Sequence, residues 1–316
     1  MIIATEAWGP VRPPRPFRLL DLETLVVQPE FFDVARQYPP EIAWPLLEDA
    51  TRYDWQTQTA SGDRAVQSLK DVAAHSFGPD ARAQQAWIDY MTGRMVDAAL
   101  FALWQDPWQF CQRHVTAAGQ AVLARVRRDF GRMVAVSPHW DAYLSLPACL
   151  LADGWRVNCQ TEPDVAHWWS QLAERYLASP ERLRMVGVTS AGGLTDRLTA
   201  DVRDGWSAFI TPDYNLGERG PSPMTVPFVG GPLPATTGPA RVAITAEVPL
   251  VGMTLSRVGP LAYRWEVAEP LYWPGDAPED VDALTVRMYQ YLAGEVRKNP
   301  TRWWGWMHAE RAGGRS

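Results

Sequence analysis

Lysine is nearly absent from this chain. It occurs only at Lys70 and Lys298, and arginine carries almost all of the positive charge. Acidic residues still outnumber basic ones, 36 to 30, for a formal net charge of −6. No basic stripe is visible, which argues against a nucleic-acid scaffold. Cysteine is scarce too. Cys111, Cys149 and Cys159 have neither disulfide-framework nor zinc spacing, so a reducing, cytoplasmic compartment is expected and no metal site. No run reaches the roughly 18–20 uncharged apolar residues that span a bilayer. The start, "MIIATEAWGPVRPPRPF", lacks the basic stretch and apolar core of a secretory signal, so at most peripheral membrane contact is expected. Dinucleotide fingerprints, phosphate loops and nucleophile elbows are also missing. "AGGLTDRL" (191–198) lacks phosphate-loop spacing and reads as a turn.

What is present is apolar and aromatic. Hydrophobic residues make up 47% of the 316 positions, and 16 are tryptophan. That is enough for a packed core. Tryptophan, with a large apolar face and one N–H donor, suits cores and grooves for amphiphiles alike.

The texture changes near residue 131. Before it, "RPPRP" reads as an extended arm, and "ARAQQAWIDYMTGRMVDAALFALWQ" has apolar residues at helical spacing that "PWQFCQRHVTAAGQAVLARVRRDF" continues. After it, short apolar strands ("MVAVS", "WRVNC", "RMVGVTS", "WSAFITPD", "PLVGMTL", "LAYRWEV") alternate with helices. Twice a helix stops at Asp-Gly and a strand opens on tryptophan, at Gly154–Trp155 and Gly205–Trp206. Glycine just past a helix adopts the left-handed conformation cheaply. The alternation predicts an α/β fold, a mixed but mostly parallel sheet flanked by helices. One domain over 1–316 is expected, with a helical segment to residue 130 and an α/β core from 131. Acidic residues crowd the start of "EDVDALTVRMYQYLAGEVRKNP" and Arg297 and Lys298 its end, as the helix dipole favours in a closing helix. The stretch from Asp213 to Pro239 reads as a long Gly/Pro-rich loop, a kind usually functional. It runs into a helix with Thr237 as N-cap and Pro239 in the first turn. An exposed helix start there, with Arg241 beside it, suits a phosphate group.

The order of parts resembles the lipid A biosynthesis acyltransferases, the lauroyl and myristoyl transferases and their relatives, over roughly residues 95–311. "VPFVGGPLPATTGPARVA" is similar to the family's "vPFfG…TGparLA" block through Pro227, Phe228, Gly230, Thr237, Gly238, Pro239, Arg241 and Ala243. "AFITPD" places Asp213 where the family has a strand and an aspartate. "VRKNPTRWWGWMHAER" resembles the closing segment through Arg297, Pro300, Trp303, Trp306, His308 and Arg311, and "LAERY" supplies Arg175.

The resemblance implies acyl transfer from a thioester, acyl-CoA or an acyl carrier protein, to an acceptor, with no bound cofactor. It implies a histidine that removes the acceptor's proton and a carboxylate, after four spacer residues, that orients the ring. His139 is in place, in "AVSPHWDAYLSL" after an apolar run, but Leu144 stands where the acid should be. Three accounts are open: Asp141 replaces the acid, Asp213 at its strand end supplies it, or an amine acceptor needs none. A fourth is loss of chemistry, which would leave a non-catalytic homologue that binds acyl chains or a carrier protein. Trp140, Tyr143, Arg175, Arg241 and Arg257 are the candidate substrate contacts, the arginines for phosphate or carboxylate. His308 reads as structural, His167 as a surface or groove residue, and His75 and His114 lie in the helical part with no chemical partner evident in the sequence. With no membrane helix visible, the expected acceptor is a soluble small molecule of specialised-metabolite type.

Overall fold

The computed structural model describes residues 33–34, 36–62, 64–103, 107–161, 163–187, 193–213, 224–275 and 280–307. The "RPPRP" arm, His308 and Arg311 lie outside them.

Seven strands form one sheet: β1 (Val115–Ala118), β2 (Val134–Val136), β3 (Val157–Thr161), β4 (Leu183–Gly187), β5 (Ser207–Ile210), β8 (Leu250–Gly259) and β9 (Ala262–Val267), in spatial order β1-β9-β8-β2-β5-β3-β4. Only the β8–β9 pair is antiparallel. The other pairs are parallel, so the α/β fold is as expected. β2 is buried at all three positions, the mark of a central strand covered on both faces. Its helical coat includes α5 (Gln120–Asp129), α6 (Leu146–Ala152), α7 (Pro163–Tyr176), α8 (Leu194–Arg203), α9 (Gly238–Thr245) and α10 (Val281–Lys298). Gly154 and Gly205 both have positive φ, 95° and 88°, and each hands the chain to a buried tryptophan just before a strand.

Helices α1 (Pro40–Ser61), α2 (Arg64–Phe77) and α3 (Ala81–Leu103) precede the sheet. α2 buries Val66, Leu69, Val72 and Ala73, a stripe at helical spacing. α3 buries Trp87, Ile88 and Met91, and the Trp87 indole N–H donates to the Trp303 carbonyl at 2.9 Å. The N-terminal helices therefore brace the C-terminal segment.

Three expectations need correction. The helical pattern over 107–130 is broken: α4 (Pro107–His114) ends, β1 runs as the sheet's edge strand, and α5 follows. Val115 and Thr116 pair with β9, and sheet pairing outweighs the weak local helix preference of this stretch. Gly119 then makes the turn at φ 81°, where a Cβ would meet the Val267 carbonyl at 2.3 Å. The helical segment to residue 130 thus contributes a strand. Within Asp213–Pro239, a hairpin of β6 (Met224–Phe228) and β7 (Gly231–Ala235) replaces much of the expected loop. Finally, α9 starts with Thr237 and Gly238 half-buried, Pro239 and Ala240 buried, and no side-chain cap bond from Thr237, so the expected cap by its hydroxyl is not made.

Candidate active site

β2 and β5 are parallel neighbours with Val136 opposite Ile210. Beyond each strand the chain repeats one pattern, Ser137-Pro138-His139 after β2 and Thr211-Pro212-Asp213 after β5. Proline holds φ near −65° in both. Two equal excursions from strands about 4.8 Å apart deliver His139 and Asp213 to the same place, the C-terminal edge where parallel sheets gather functional groups.

The side chains meet. His139 Nδ1 lies 2.7 Å from Asp213 Oδ1. The backbone N–H of His139 donates to both carboxylate oxygens at 3.0 and 2.9 Å, and the Trp303 indole N–H donates to Oδ2 at 2.7 Å. Three donors converge on a carboxylate with no exposed side-chain surface, which matches its ionised, acceptor-only form. In the neutral tautomer that donates from Nδ1 to this carboxylate, Nε2 holds the lone pair. Nε2 faces the Thr211 hydroxyl at 3.0 Å. The ring sits between Tyr143, edge-on at 5.0 Å, and Trp304 at 5.3 Å, with 13% of its side chain exposed.

The C-terminal segment closes the site from behind. Trp140 and Trp303 form an antiparallel bridge, Trp304 N–H donates to the His139 carbonyl at 2.9 Å, and Asp141 N–H donates to the Arg302 carbonyl at 2.9 Å. Tyr289 on α10 donates to the Pro212 carbonyl at 2.6 Å and accepts from Thr236 N–H at 3.0 Å. It thereby pins the turn between Thr211 and Asp213.

Of the two candidate acids, the structure brings Asp213 to the ring and gives Asp141 to an arginine. Asp141 takes φ 51°, and its carboxylate accepts from Arg302 Nη1 at 2.5 Å. That arginine also donates to the Arg257 carbonyl at 2.8 Å. Leu144 packs against the apolar cluster on one side of the sheet, in a 3-10 turn (Tyr143–Ser145) that precedes α6. Trp140 is buried, with its indole N–H on the Asn299 carbonyl at 2.8 Å. Arg175 on α7 pairs with Asp33 at 2.5 Å. Arg257 reaches Glu48 at 3.3 Å and lies over Trp44, so it has the acidic neighbour that the sequence left as an alternative. Arg241 is exposed on α9. Among the described residues no group of three or more His, Cys, Asp or Glu could hold a metal ion, and no helix is long and apolar enough to cross a membrane.

Thr211, Trp303, Trp304, Tyr289 and Arg302 shape the site without having been singled out for it. The signal for Thr211 was the paired "VSPH" and "ITPD" endings, which are visible once the two strands are taken as neighbours.

The structure is thus an α/β fold with a His–Asp pair at the C-terminal ends of two neighbouring parallel strands. The model of the bacterial lipid A biosynthesis acyltransferase family matches residues 167–310. Over that stretch the chain is similar to this family. No curated protein compared with the chain matches it.

Proposed function

We propose that the protein moves an acyl chain from a thioester, acyl-CoA or an acyl carrier protein, to a hydroxyl or amine of an acceptor. His139 acts as the base and Asp213 as the acid that orients it. The observation that carries this reading is the 2.7 Å contact between His139 Nδ1 and Asp213 Oδ1, made although the position four spacers beyond His139 is Leu144. Nε2 takes the attacking group's proton, and Asp213 stabilises the imidazolium that results. Such help is typically worth about 10²–10⁴-fold. An amine acceptor, delivered neutral, would ask less of the pair than a hydroxyl. A cytoplasmic location and a soluble acceptor of specialised-metabolite type complete the proposal. Tyr143 and Trp304 flank the ring and would line the acyl end, where each buried methylene contributes about 0.8 kcal/mol. Arg241 and Arg257 are the candidate grips for an anionic donor.

The competing reading, a non-catalytic binder of acyl chains or a carrier protein, is favoured by Leu144. Intact-mass analysis of products from a panel of acyl thioesters with amines and alcohols tests the proposal. Loss of turnover by orders of magnitude in His139→Ala supports an enzyme. Unchanged acyl-chain affinity with no turnover in either protein supports the binder.

A further inference from the structure

The lone pair of His139 Nε2 is the point from which a base must act, and a side chain of the protein occupies it. Thr211 Oγ1 stands 3.0 Å away, one residue beyond β5, on a turn whose Pro212 carbonyl is held by the buried Tyr289 hydroxyl. In the neutral tautomer that donates from Nδ1 to Asp213 across 2.7 Å, Nε2 holds the lone pair and accepts from the Thr211 hydroxyl. Asp213, His139 and Thr211 thus form an acid–base–hydroxyl chain, the arrangement that activates a hydroxyl as a nucleophile. Threonine is also restricted at χ1 by its β-branch, so the hydroxyl is held in place at little further entropic cost.

We propose that Thr211 is the nucleophile of a double-displacement reaction and carries the acyl group between donor and acceptor. This rests on the acyl-transfer reading above. In the first half, Thr211 Oγ1 attacks the thioester carbonyl carbon and its proton passes to His139 Nε2. The C–O bond forms, the C–S bond breaks, and the departing thiolate takes the proton to leave as a thiol. In the second half, the acceptor's hydroxyl or amine attacks the threonyl ester and gives its proton to Nε2. Thr211 Oγ1 leaves and recovers that proton. Thioester and acceptor become acylated acceptor and thiol, with nothing oxidised or reduced.

Full-length protein is incubated without acceptor with octanoyl-, dodecanoyl- and hexadecanoyl-coenzyme A, acid-quenched, and examined by intact mass and peptide mapping. In parallel, exchange of the acyl group from coenzyme A onto free pantetheine is measured. The expected result is an acyl adduct on the peptide containing Thr211 and acyl exchange without acceptor. Both should be abolished in Thr211→Val, which keeps the side-chain shape, and be retained in Thr211→Ser. Transfer to acceptor should fall at least 100-fold in Thr211→Val. Absence of both adduct and exchange in a wild-type protein that still acylates an acceptor overturns the threonyl intermediate and leaves the acyltransferase reading standing. So does full transfer by Thr211→Val. Wild-type protein that turns over no thioester overturns both.

Discussion

His139 Nδ1 lies 2.7 Å from Asp213 Oδ1, though 74 positions separate the two residues in the chain. The contact is built by two matching strand ends rather than by one helical turn, so the carboxylate beside the ring belongs to a different segment from the histidine itself.

Asp213→Asn keeps the shape and removes the charge. An amide that turns its N–H₂ toward the ring would favour the other tautomer and take the lone pair from Nε2. Steady-state turnover of an acyl thioester is expected to fall about 10²–10⁴-fold, with the circular dichroism spectrum unchanged. A loss under threefold would show that Asp213 does not orient the base.

Asp141→Asn should act on stability. Asparagine tolerates the left-handed backbone at φ 51°, while the contact with Arg302 loses its charge. Arg302 is 37% exposed, and solvent screens the pair. A loss of about 1–2 kcal/mol in denaturant unfolding is expected, with thioester turnover within a few-fold of wild type. A loss as large as that of Asp213→Asn would restore Asp141 to the chemistry.

Gly305→Ala couples packing to the site. A Cβ at Gly305 would stand 2.2 Å from Trp303 Cζ2, so the indole must move, and that indole donates to Asp213 Oδ2. Overpacking of this kind costs about 1–3 kcal/mol. Turnover should fall together with the melting temperature, whereas Gly294→Ala, inside α10 with open space at its Cβ, should leave turnover unchanged and raise the melting temperature slightly.

Tyr289→Phe removes one hydroxyl that serves both the Pro212 carbonyl and Thr236 N–H. Two backbone groups lose a partner, and about 1–3 kcal/mol of stability should go with them. The turn bearing Thr211 and Asp213 would loosen, so kcat is expected to fall more than KM rises.

Stability should decline above about pH 9. The Cys149 thiol is pushed well up, first by its hydrogen bond with Cys111 and then by burial. Burial raises Cys159 and, with Glu295 and Glu266 nearby, Tyr291. A group whose folded pKa is raised stabilises the fold fully below its unfolded pKa, and loses that contribution as pH climbs toward the folded value. Each such group lowers stability by up to about 1.4 kcal/mol per pH unit in that window. Guanidinium unfolding at pH 8 and pH 10 measures it. At pH 8 the folded protein should leave Cys149 and Cys159 unreacted with a disulfide reagent, because the thiolate is the reactive form.

Much of the architecture follows from local chemistry that a reader of the chain can see. Apolar runs such as "MVAVS" and "WSAFI" alternate with helical spacing, Asp-Gly stops precede tryptophan, and acid-to-base polarity marks α10. These settle an α/β sheet because buried parallel strands and helix ends have compositional signatures of their own. Where two local preferences were close, the sheet decided: Val115–Ala118 became an edge strand and Met224–Ala235 a hairpin, since pairing partners far along the chain outweigh tenths of a kcal/mol of propensity. The sequence by itself placed His139 at a strand end and left the acid open among Asp141, Asp213 and none. Only the tertiary structure puts Asp213 beside the ring and Asp141 beside Arg302, because a carboxylate's neighbour is set by which strands and segments lie side by side. Thr211 was hidden for the same reason: a hydroxyl 72 residues from the histidine becomes a neighbour only when β2 and β5 align.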